Sequence, residues 1–205
     1  MAWAPDYATT GELAAFARIG DSADDAQLAL AVAAASRAID RACSRQFGKL
    51  ATATARYYTA RWDPRRLLWF VVIDDLMSST GLTVKYDELE DQSYSTTITD
   101  YVLRPVNAAS EGRPWSELWV RSTSTYQPTC LEDGMKVTAA WGWSGVPDAI
   151  RQACLLQASR LLARRDAPFG IAGSPDAGSE MRLLARLDPD VSVAVRPYRR
   201  VWGAV

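Results

Sequence analysis

The chain has 205 residues, of which 48% are hydrophobic and 23% are charged, and its net charge is −1 at pH 7. This length suits one domain with a sizeable core, and the charge gives no bulk electrostatic reason to bind nucleic acid or a membrane surface. Histidine is absent, which excludes catalytic triads that depend on imidazole and removes the commonest zinc ligand. An enzyme is therefore less expected than a structural or binding protein.

The spacing of the cysteines and the length of the apolar runs indicate the cellular compartment. Cys43, Cys130 and Cys154 are far apart and form no CxxC pair, which predicts small buried residues in a reducing compartment. The start, MAWAPDYATTGEL, has neither the basic nor the apolar region of a signal peptide. No run of about 18 apolar residues is present, so we expect no membrane span.

The chain begins with an expected irregular arm and a short helix. The arm covers residues 1–8, and its candidate anchors are Trp3, Pro5 and Tyr7. Thr9 or Thr10 can cap the helix, because a threonine side chain accepts a hydrogen bond from the first free backbone N–H groups. Gly20 is the predicted end of this helix, because glycine adopts the left-handed conformation without strain.

A second, alanine-rich helix follows. Ser22 and Asp25 match a capping box at its start. Apolar residues then recur every three or four positions as far as Phe47, which is the spacing of one helix face. Gly48 is the predicted stop.

Residues 51–141 have the texture of β structure. Six short runs rich in β-branched or aromatic residues are separated by turn signals, which predicts an antiparallel sheet or a small barrel. The run at 67–73, LLWFVVI, is apolar on both faces and is expected to be the most buried strand. The six runs are ARYYTA at 55–60, LLWFVVI at 67–73, LTVKY at 82–86, TTITDYVL at 96–103, ELWVRS at 117–122 and MKVTAAW at 135–141.

The stretch from Trp141 to Asp166, WGWSGVPDAIRQACLLQASRLLARRD, predicts a tight turn and then one long helix. Pro147 suits the first helical position, where a missing N–H costs nothing. The apolar face is wide, so this helix is expected to pack on more than one neighbour. A face of this width suggests a chain that packs among copies of itself.

The rest of the chain predicts a loop over 166–180, a short helix over about 179–187 and a final segment. The valines after Asp188-Pro189 favour a strand, whereas the Asp-Pro start permits a short helix, and both remain open. The predicted fold is α+β, in one domain of residues 1–205. It combines a small bundle of about four helices (9–50 and 142–187), a β insertion (51–141) and an extended C-terminal arm (188–205).

The tail carries the sharpest local charge pattern. Residues 196–205, RPYRRVWGAV, hold three arginines and two aromatic residues but no acid. Disordered tails are poor in aromatic residues, so docking on a partner is favoured over a frayed terminus. The predicted partner-binding residues are Arg196, Pro197, Tyr198, Arg199, Arg200 and Trp202.

Two adjacent aspartates are a candidate metal site. Asp74 and Asp75 lie at the end of the most apolar run, where a metal-binding pair can occur. Neighbouring aspartates on a strand point to opposite faces and rarely share one ion, so a solvated strand edge is favoured. No EF-hand spacing, Walker A loop or GxGxxG fingerprint is present. We therefore predict no metal site and no cofactor.

Three stretches together resemble the head–tail connector (adaptor, or head-completion) proteins of long-tailed bacteriophages. The first is TTGELAAFARIGDSADDAQLALAVAAASRAIDRACSRQFG, a short helix, an acidic turn and an alanine-rich helix. The second is VTAAWGWSGVPDAIRQACLLQASRLLARRDAPFGIAG, a strand, a Gly-aromatic turn, Val-Pro and a long helix with an arginine-rich end. The third is LDPDVSVAVRPYRR.

This resemblance implies a structural protein without catalytic activity, placed in the neck of the virion and assembled in the host cytoplasm. It implies a homo-oligomeric ring, commonly twelve-fold, between the portal protein of the capsid and the next neck or tail protein. In this ring adjacent subunits are predicted to pack through the alanine-rich helix and through Ile150, Leu155, Leu161 and Leu162 of the long helix. DNA would pass through the ring without specific binding, and the portal would be the partner of the tail residues. The alternatives are a stopper or tail-completion ring protein and, from another class, a divalent-metal enzyme using Asp74, Asp75 or Asp63.

Overall fold

The computed structural model describes residues 4–20, 24–166, 171–172, 181–182 and 187–200. Within these residues it has four α-helices and two four-stranded antiparallel sheets, which confirms the predicted α+β fold with about four helices. The chain divides into two compact units. Met1–Phe47 and Val146–Val205 form a helical unit, and Gly48–Gly145 form a β unit. The prediction of one domain with a β insertion over 51–141 stays a prediction.

The first helix, α1 (Thr10–Ala17), begins as its sequence predicts and ends earlier. Thr9 and Glu12 form a reciprocal capping box, in which each side chain accepts a hydrogen bond from the other residue's backbone N–H. The end predicted at Gly20 is wrong, because Arg18 takes the left-handed conformation at φ 56° and closes the helix.

The second helix, α2 (Asp25–Cys43), also ends before its predicted glycine. Ser44 is left-handed at φ 53° and terminates the helix, so the prediction that helical spacing extends to Phe47 and Gly48 is wrong. Phe47 is nevertheless fully buried, because the chain turns back on the helical unit after Ser44. The predicted capping residue Ser22 lies outside the described residues.

The long helix, α3 (Asp148–Asp166), follows its prediction within one residue. The carbonyl of Pro147 accepts hydrogen bonds from the N–H groups of Ile150 (2.9 Å) and Arg151 (3.0 Å), which starts the helical pattern. Helix α3 packs on α1, α2 and a later helix, as its wide apolar face predicts. Its fully buried residues are Ile150, Ala153, Cys154 and Ala158.

The β unit holds two four-stranded sheets in the orders β1-β8-β4-β5 and β2-β3-β7-β6. All six predicted runs contain strands, although the run at 96–103 is divided into two strands and β2 was not predicted. The strands are β1 (Thr54–Tyr58), β2 (Arg61–Asp63), β3 (Leu68–Leu76), β4 (Thr83–Tyr86), β5 (Thr96–Thr97), β6 (Tyr101–Arg104), β7 (Trp115–Arg121) and β8 (Met135–Ala139).

One apolar core is shared by the two sheets. Buried residues of β3 and β7 meet buried residues of β4 and β8 in a single cluster, as expected for two sheets packed face to face. Trp141 is a buried member of this core, and its indole N–H donates a 2.9 Å hydrogen bond to the carbonyl of Thr54. The central members of the cluster are Val71, Ile73, Leu118, Val120, Val84, Met135 and Val137.

Strand β3 has one buried and one partly exposed face. Val71 and Ile73 lie in the shared core, whereas Val72 is 43% exposed and Phe70 is half-buried. The strand predicted to be the most buried thus holds five buried residues of nine, more than any other described strand, while its second face is partly exposed. That face carries apolar residues without being inside the core of the β unit.

The C-terminal part differs from its prediction in two places. Ile171–Ala172 (β9) and Met181–Arg182 (β10) pair as antiparallel strands, so the loop over 166–180 and the helix over 179–187 are wrong at these positions. The remaining residues of 173–186 lie outside the described residues. Pro189–Val195 form helix α4, so the prediction of an extended arm is wrong there. The Asp-Pro start favours the helix over the strand, because the Asp188 carboxylate caps the backbone N–H of Asp190.

Candidate functional site

The C-terminal segment packs on the helical unit of its own chain through residues 188–195, which precede its three arginines. Val191 and Val195 of α4 are buried, and the Arg160 guanidinium pairs with the Asp188 carboxylate at 3.0 Å. Arg196–Tyr198 then form one turn of 3₁₀ helix. Residues 188–198 are therefore an ordered part of the helical unit rather than a free arm.

The predicted partner-binding residues consequently divide into two groups. Tyr198 is half-buried against Phe47, and the backbone N–H of Arg200 donates to the Cys43 carbonyl at 2.8 Å. Arg196, Pro197 and Arg199 are exposed. Trp202 lies outside the described residues. The structure thus brings two exposed arginines together on one short turn and uses Tyr198 for internal packing.

The arm at the start of the chain is held by a buried polar cluster. The Tyr7 hydroxyl donates to the Asp40 carboxylate and accepts a 3.0 Å hydrogen bond from the Phe47 N–H. The Arg37 guanidinium reaches the same carboxylate at 3.2 Å and donates to the carbonyl of Pro5. Burial raises the pKa of Asp40 although its hydrogen bonds and the nearby arginine oppose that shift. Tyr7 is therefore an anchor, as predicted, and Trp3 lies outside the described residues.

The four predicted contacts with another copy are not equally available. Ile150 is fully buried and Leu155 is 9% exposed, so both side chains serve the core of their own unit. Leu161 and Leu162 are half-buried. The available part of the predicted interface is therefore the last third of α3.

Leu161 and Leu162 line an open apolar groove of about 200 Å³ between α2 and α3. Leu30 stands on its rim at 66% exposure, so that its side chain and the groove form one apolar area. The sequence prediction missed Leu30; a leucine off the apolar row of α2 was the available signal. The other lining residues are Gln27, Ala31 and Ala34.

The three carboxylates of the metal-enzyme alternative all bind protein groups. Asp74 accepts from Arg56 (2.5 Å) and from the Tyr58 hydroxyl (2.9 Å). Asp75 is buried and accepts a 3.0 Å hydrogen bond from the Trp143 indole. The structure therefore ties these neighbouring carboxylates to different donors.

Asp63 has a turn-forming role. Its carboxylate accepts from the backbone N–H groups of Arg65 (2.9 Å) and Arg66 (3.1 Å) in the turn between β2 and β3. In the part of the chain that the structure describes, no three Cys, Asp or Glu residues are grouped closely enough to hold a metal ion. Among the described helices, none is long and apolar enough to cross a bilayer.

Comparison with models of known protein families gives no match. Comparison with curated protein sequences likewise gives no significant relative. The resemblance to phage connector proteins accordingly depends on the three quoted sequence stretches alone.

Proposed function

We propose that this protein is a structural virion protein that forms a ring in the neck of a long-tailed bacteriophage. The ring joins the capsid portal to the next neck or tail component and surrounds the channel for DNA. The resemblance supplies this position and a twelve-fold ring. In this proposal the protein acts by assembly and not by catalysis.

The groove between α2 and α3 is the observation that carries this proposal. An exposed leucine beside an open apolar groove leaves hydrophobic area in water, which favours burial against another protein surface. Leu30, Leu161 and Leu162 are close enough to line one such surface. A copy of the chain that docks there would bury all three, as expected for subunits of a ring.

Arg196 and Arg199 are the proposed contacts with the portal. Both side chains are exposed on a turn whose backbone is fixed by Tyr198 and Arg200. A fixed turn loses little conformational entropy when a partner binds, which favours recognition by its charged side chains. Carboxylates of the portal are the matching chemistry, because a guanidinium binds them with two hydrogen bonds.

A stopper or tail-completion ring is the second candidate, and the same groove would serve it. The two differ only in which neighbour the ring binds in the virion. The metal-enzyme alternative has less support, because the carboxylates of Asp63, Asp74 and Asp75 are bound to arginine, tyrosine, tryptophan or backbone donors.

The proposal is tested by placing a charge in the groove. Leu30→Glu is expected to reduce ring formation by the full chain, because the carboxylate would have to be desolvated in the subunit contact. Val193→Glu is the matched control, since Val193 is an equally exposed apolar residue of the helical unit at 72% exposure. Sedimentation velocity, with and without the portal protein of the same virion, measures both. Rings of unchanged stability in Leu30→Glu would contradict the groove as the subunit contact.

A further inference from the structure

The outer face of the sheet β2-β3-β7-β6 has an unusual composition for a surface. Directly paired residues share a face, and one row runs across all four strands as Arg61, Phe70, Trp119 and Val102. Val72 belongs to the same face, two residues along β3 from Phe70. None of these apolar residues belongs to the core shared by the two sheets.

Arginines surround the apolar centre of this face. The guanidinium carbons of Arg104 and Arg66 lie 4.5 Å and 5.0 Å from the centre of the Trp119 ring. Arg61 and Arg121 are exposed at its margin. The acids on the face are already engaged: Glu117 accepts from the Trp119 indole at 2.8 Å, and Asp63 caps its turn. We name these four arginines with Phe70, Val72 and Trp119 the arginine-rimmed face.

The loop between β4 and β5 has the complementary composition. Residues 88–91 read Glu-Leu-Glu-Asp and are all exposed, with Leu89 at 70% exposure between the acids. We name them the acidic knob. The buried Asp87 carboxylate holds the knob, because it accepts hydrogen bonds from the N–H groups of Gln92 (2.7 Å) and Asp91 (3.3 Å). A held loop with an exposed leucine is preorganised to insert that side chain into an apolar partner.

The knob follows a strand of one sheet, and the face is a surface of the other sheet. Strand β4 lies in one sheet, the arginine-rimmed face is the outer surface of the other, and the common core separates them. Because the core lies between the two sheets, we consider the face of a second chain as the surface that the knob meets. A contact between two different surfaces of identical chains is head-to-tail, and repeated contacts of this kind form a ring when the rotation between neighbours closes and a filament when it does not.

We propose that the acidic knob of one copy docks on the arginine-rimmed face of the next copy. Leu89 covers Phe70 and Val72 beside Trp119, while the acids of the knob meet the arginines of the rim, above all Arg61 and Arg121. Complementary charge around an apolar centre is the arrangement that orients a protein–protein contact. The inference deepens the proposed ring and rests on its self-association, and it adds a contact in the β unit to the groove in the helical unit.

Charge reversal tests this pairing. The knob variant is Glu88→Arg/Glu90→Arg, and the face variant is Arg61→Glu/Arg121→Glu. All four side chains are exposed, and none forms an ion pair within the described residues. Glu88 accepts one hydrogen bond, from the hydroxyl of Thr96 at the surface (2.6 Å), so both variants are expected to fold. Each alone should raise the dissociation constant for self-association at least tenfold, because like charges then meet at the contact.

Mixing the two variants is the decisive measurement. The reversed knob then fits the reversed face, and the unchanged knob fits the unchanged face, so an equimolar mixture should regain wild-type association in alternating order. Sedimentation velocity follows the three samples, and near-ultraviolet circular dichroism checks their folds. Loss in each variant with recovery in the mixture supports the inference. Loss without recovery overturns it.

Two further outcomes separate this inference from the proposed function. If wild type forms rings and both variants form them unchanged, the knob-and-face contact is overturned while the ring itself stands. If wild type stays monomeric at its highest soluble concentration, alone and with the portal protein, both are overturned.

The arginine-rimmed face is also tested for nucleic-acid binding, because arginine and tryptophan suit that ligand as well. Fluorescence anisotropy with a labelled oligonucleotide measures it. Tight binding lost only in the face variant, with self-association unchanged, overturns the inference.

Discussion

The ring of Tyr198 meets the ring of Phe47 edge to face, with 5.8 Å between centroids and 82° between planes. Phe47 makes the same kind of contact with Tyr7, at 5.6 Å and 78°. Three rings, from the start of the chain, the segment after α2 and the tail, thus pack in one row. The tail turn that carries Arg196 and Arg199 is held in place by this packing.

Replacing Tyr198 by alanine is expected to destabilise the helical unit. The edge-to-face contact and the half-buried ring together contribute about 1–2 kcal/mol to the free energy of unfolding. Arg199→Ala, at an exposed neighbouring position, should change it by about 0.5 kcal/mol or less. Urea unfolding followed by helical circular dichroism compares the two. An equal effect of both changes would show that the tail is not held by its tyrosine.

Tyr7→Phe is expected to destabilise the helical unit in a pH-dependent way. Loss of the hydroxyl removes a donor from Asp40 and an acceptor from the Phe47 N–H, at a cost of about 1–3 kcal/mol at neutral pH. Burial already raises the pKa of Asp40, and the Tyr7 hydroxyl opposes that shift, so the variant should raise the pKa further.

The sign of the pH dependence follows from this raised pKa. The folded state binds the Asp40 proton more tightly than the unfolded chain, so the cost of the buried carboxylate is present above the folded pKa and is relieved as pH falls through it. The stability lost in Tyr7→Phe should therefore shrink between about pH 7 and about pH 4. Urea unfolding at both pH values measures it. A loss that stays constant or grows toward acid pH would contradict the role given to Asp40.

Gly142 is expected to tolerate no side chain. Its φ is +110°, and a Cβ added there would lie 2.0 Å from the carbonyl oxygen of Gly48. Gly142→Ala should therefore cost the β unit about 3 kcal/mol or more. Gly145→Ala is the control in the same turn, because no atom lies within 4 Å of its added Cβ. Thermal unfolding followed by tryptophan fluorescence compares them, and similar stabilities would refute the close approach.

Divalent metal is expected not to bind at Asp74 and Asp75. Asp74 is paired with Arg56 and Tyr58, and Asp75 with Trp143, so an ion would have to displace these donors. Calorimetric titration with Mg²⁺, Mn²⁺ and Ca²⁺ should give only heats of dilution. Stoichiometric binding that disappears in Asp74→Asn/Asp75→Asn would instead support the metal-enzyme alternative.

The parts of the fold that depend on local patterns follow from the sequence. The capping box at Thr9, the Pro147 start of α3 and the strands between 54 and 139 each have a signal within a few residues. The helix ends do not, because Arg18 and Ser44 adopt left-handed conformations that glycine would adopt more easily. Packing of the following chain on the helical unit determines those ends, and no local pattern encodes it.

The candidate surfaces were harder to predict, because exposure is a property of the tertiary structure. Periodicity places Ile150 and Leu161 on the same apolar row, yet the first is fully buried and the second is half-buried beside a groove. The apolar second face of β3 reads in the sequence as burial within the sheet, and it is a surface in the structure. Leu30 and Leu89 have polar or small neighbours in the sequence. Their proposed roles depend on residues of another helix or of another copy, which no local pattern shows.

Electron microscopy of the full chain, alone and mixed with the portal protein of the same virion, tests the ring most directly. We predict closed rings with a central channel, twelve-fold as the resemblance implies, seated on the portal. We also predict that Leu30→Glu weakens ring formation while Val193→Glu leaves it intact. Single copies bound at separate sites on the portal, or no binding and no ring in either sample, would contradict the proposed function.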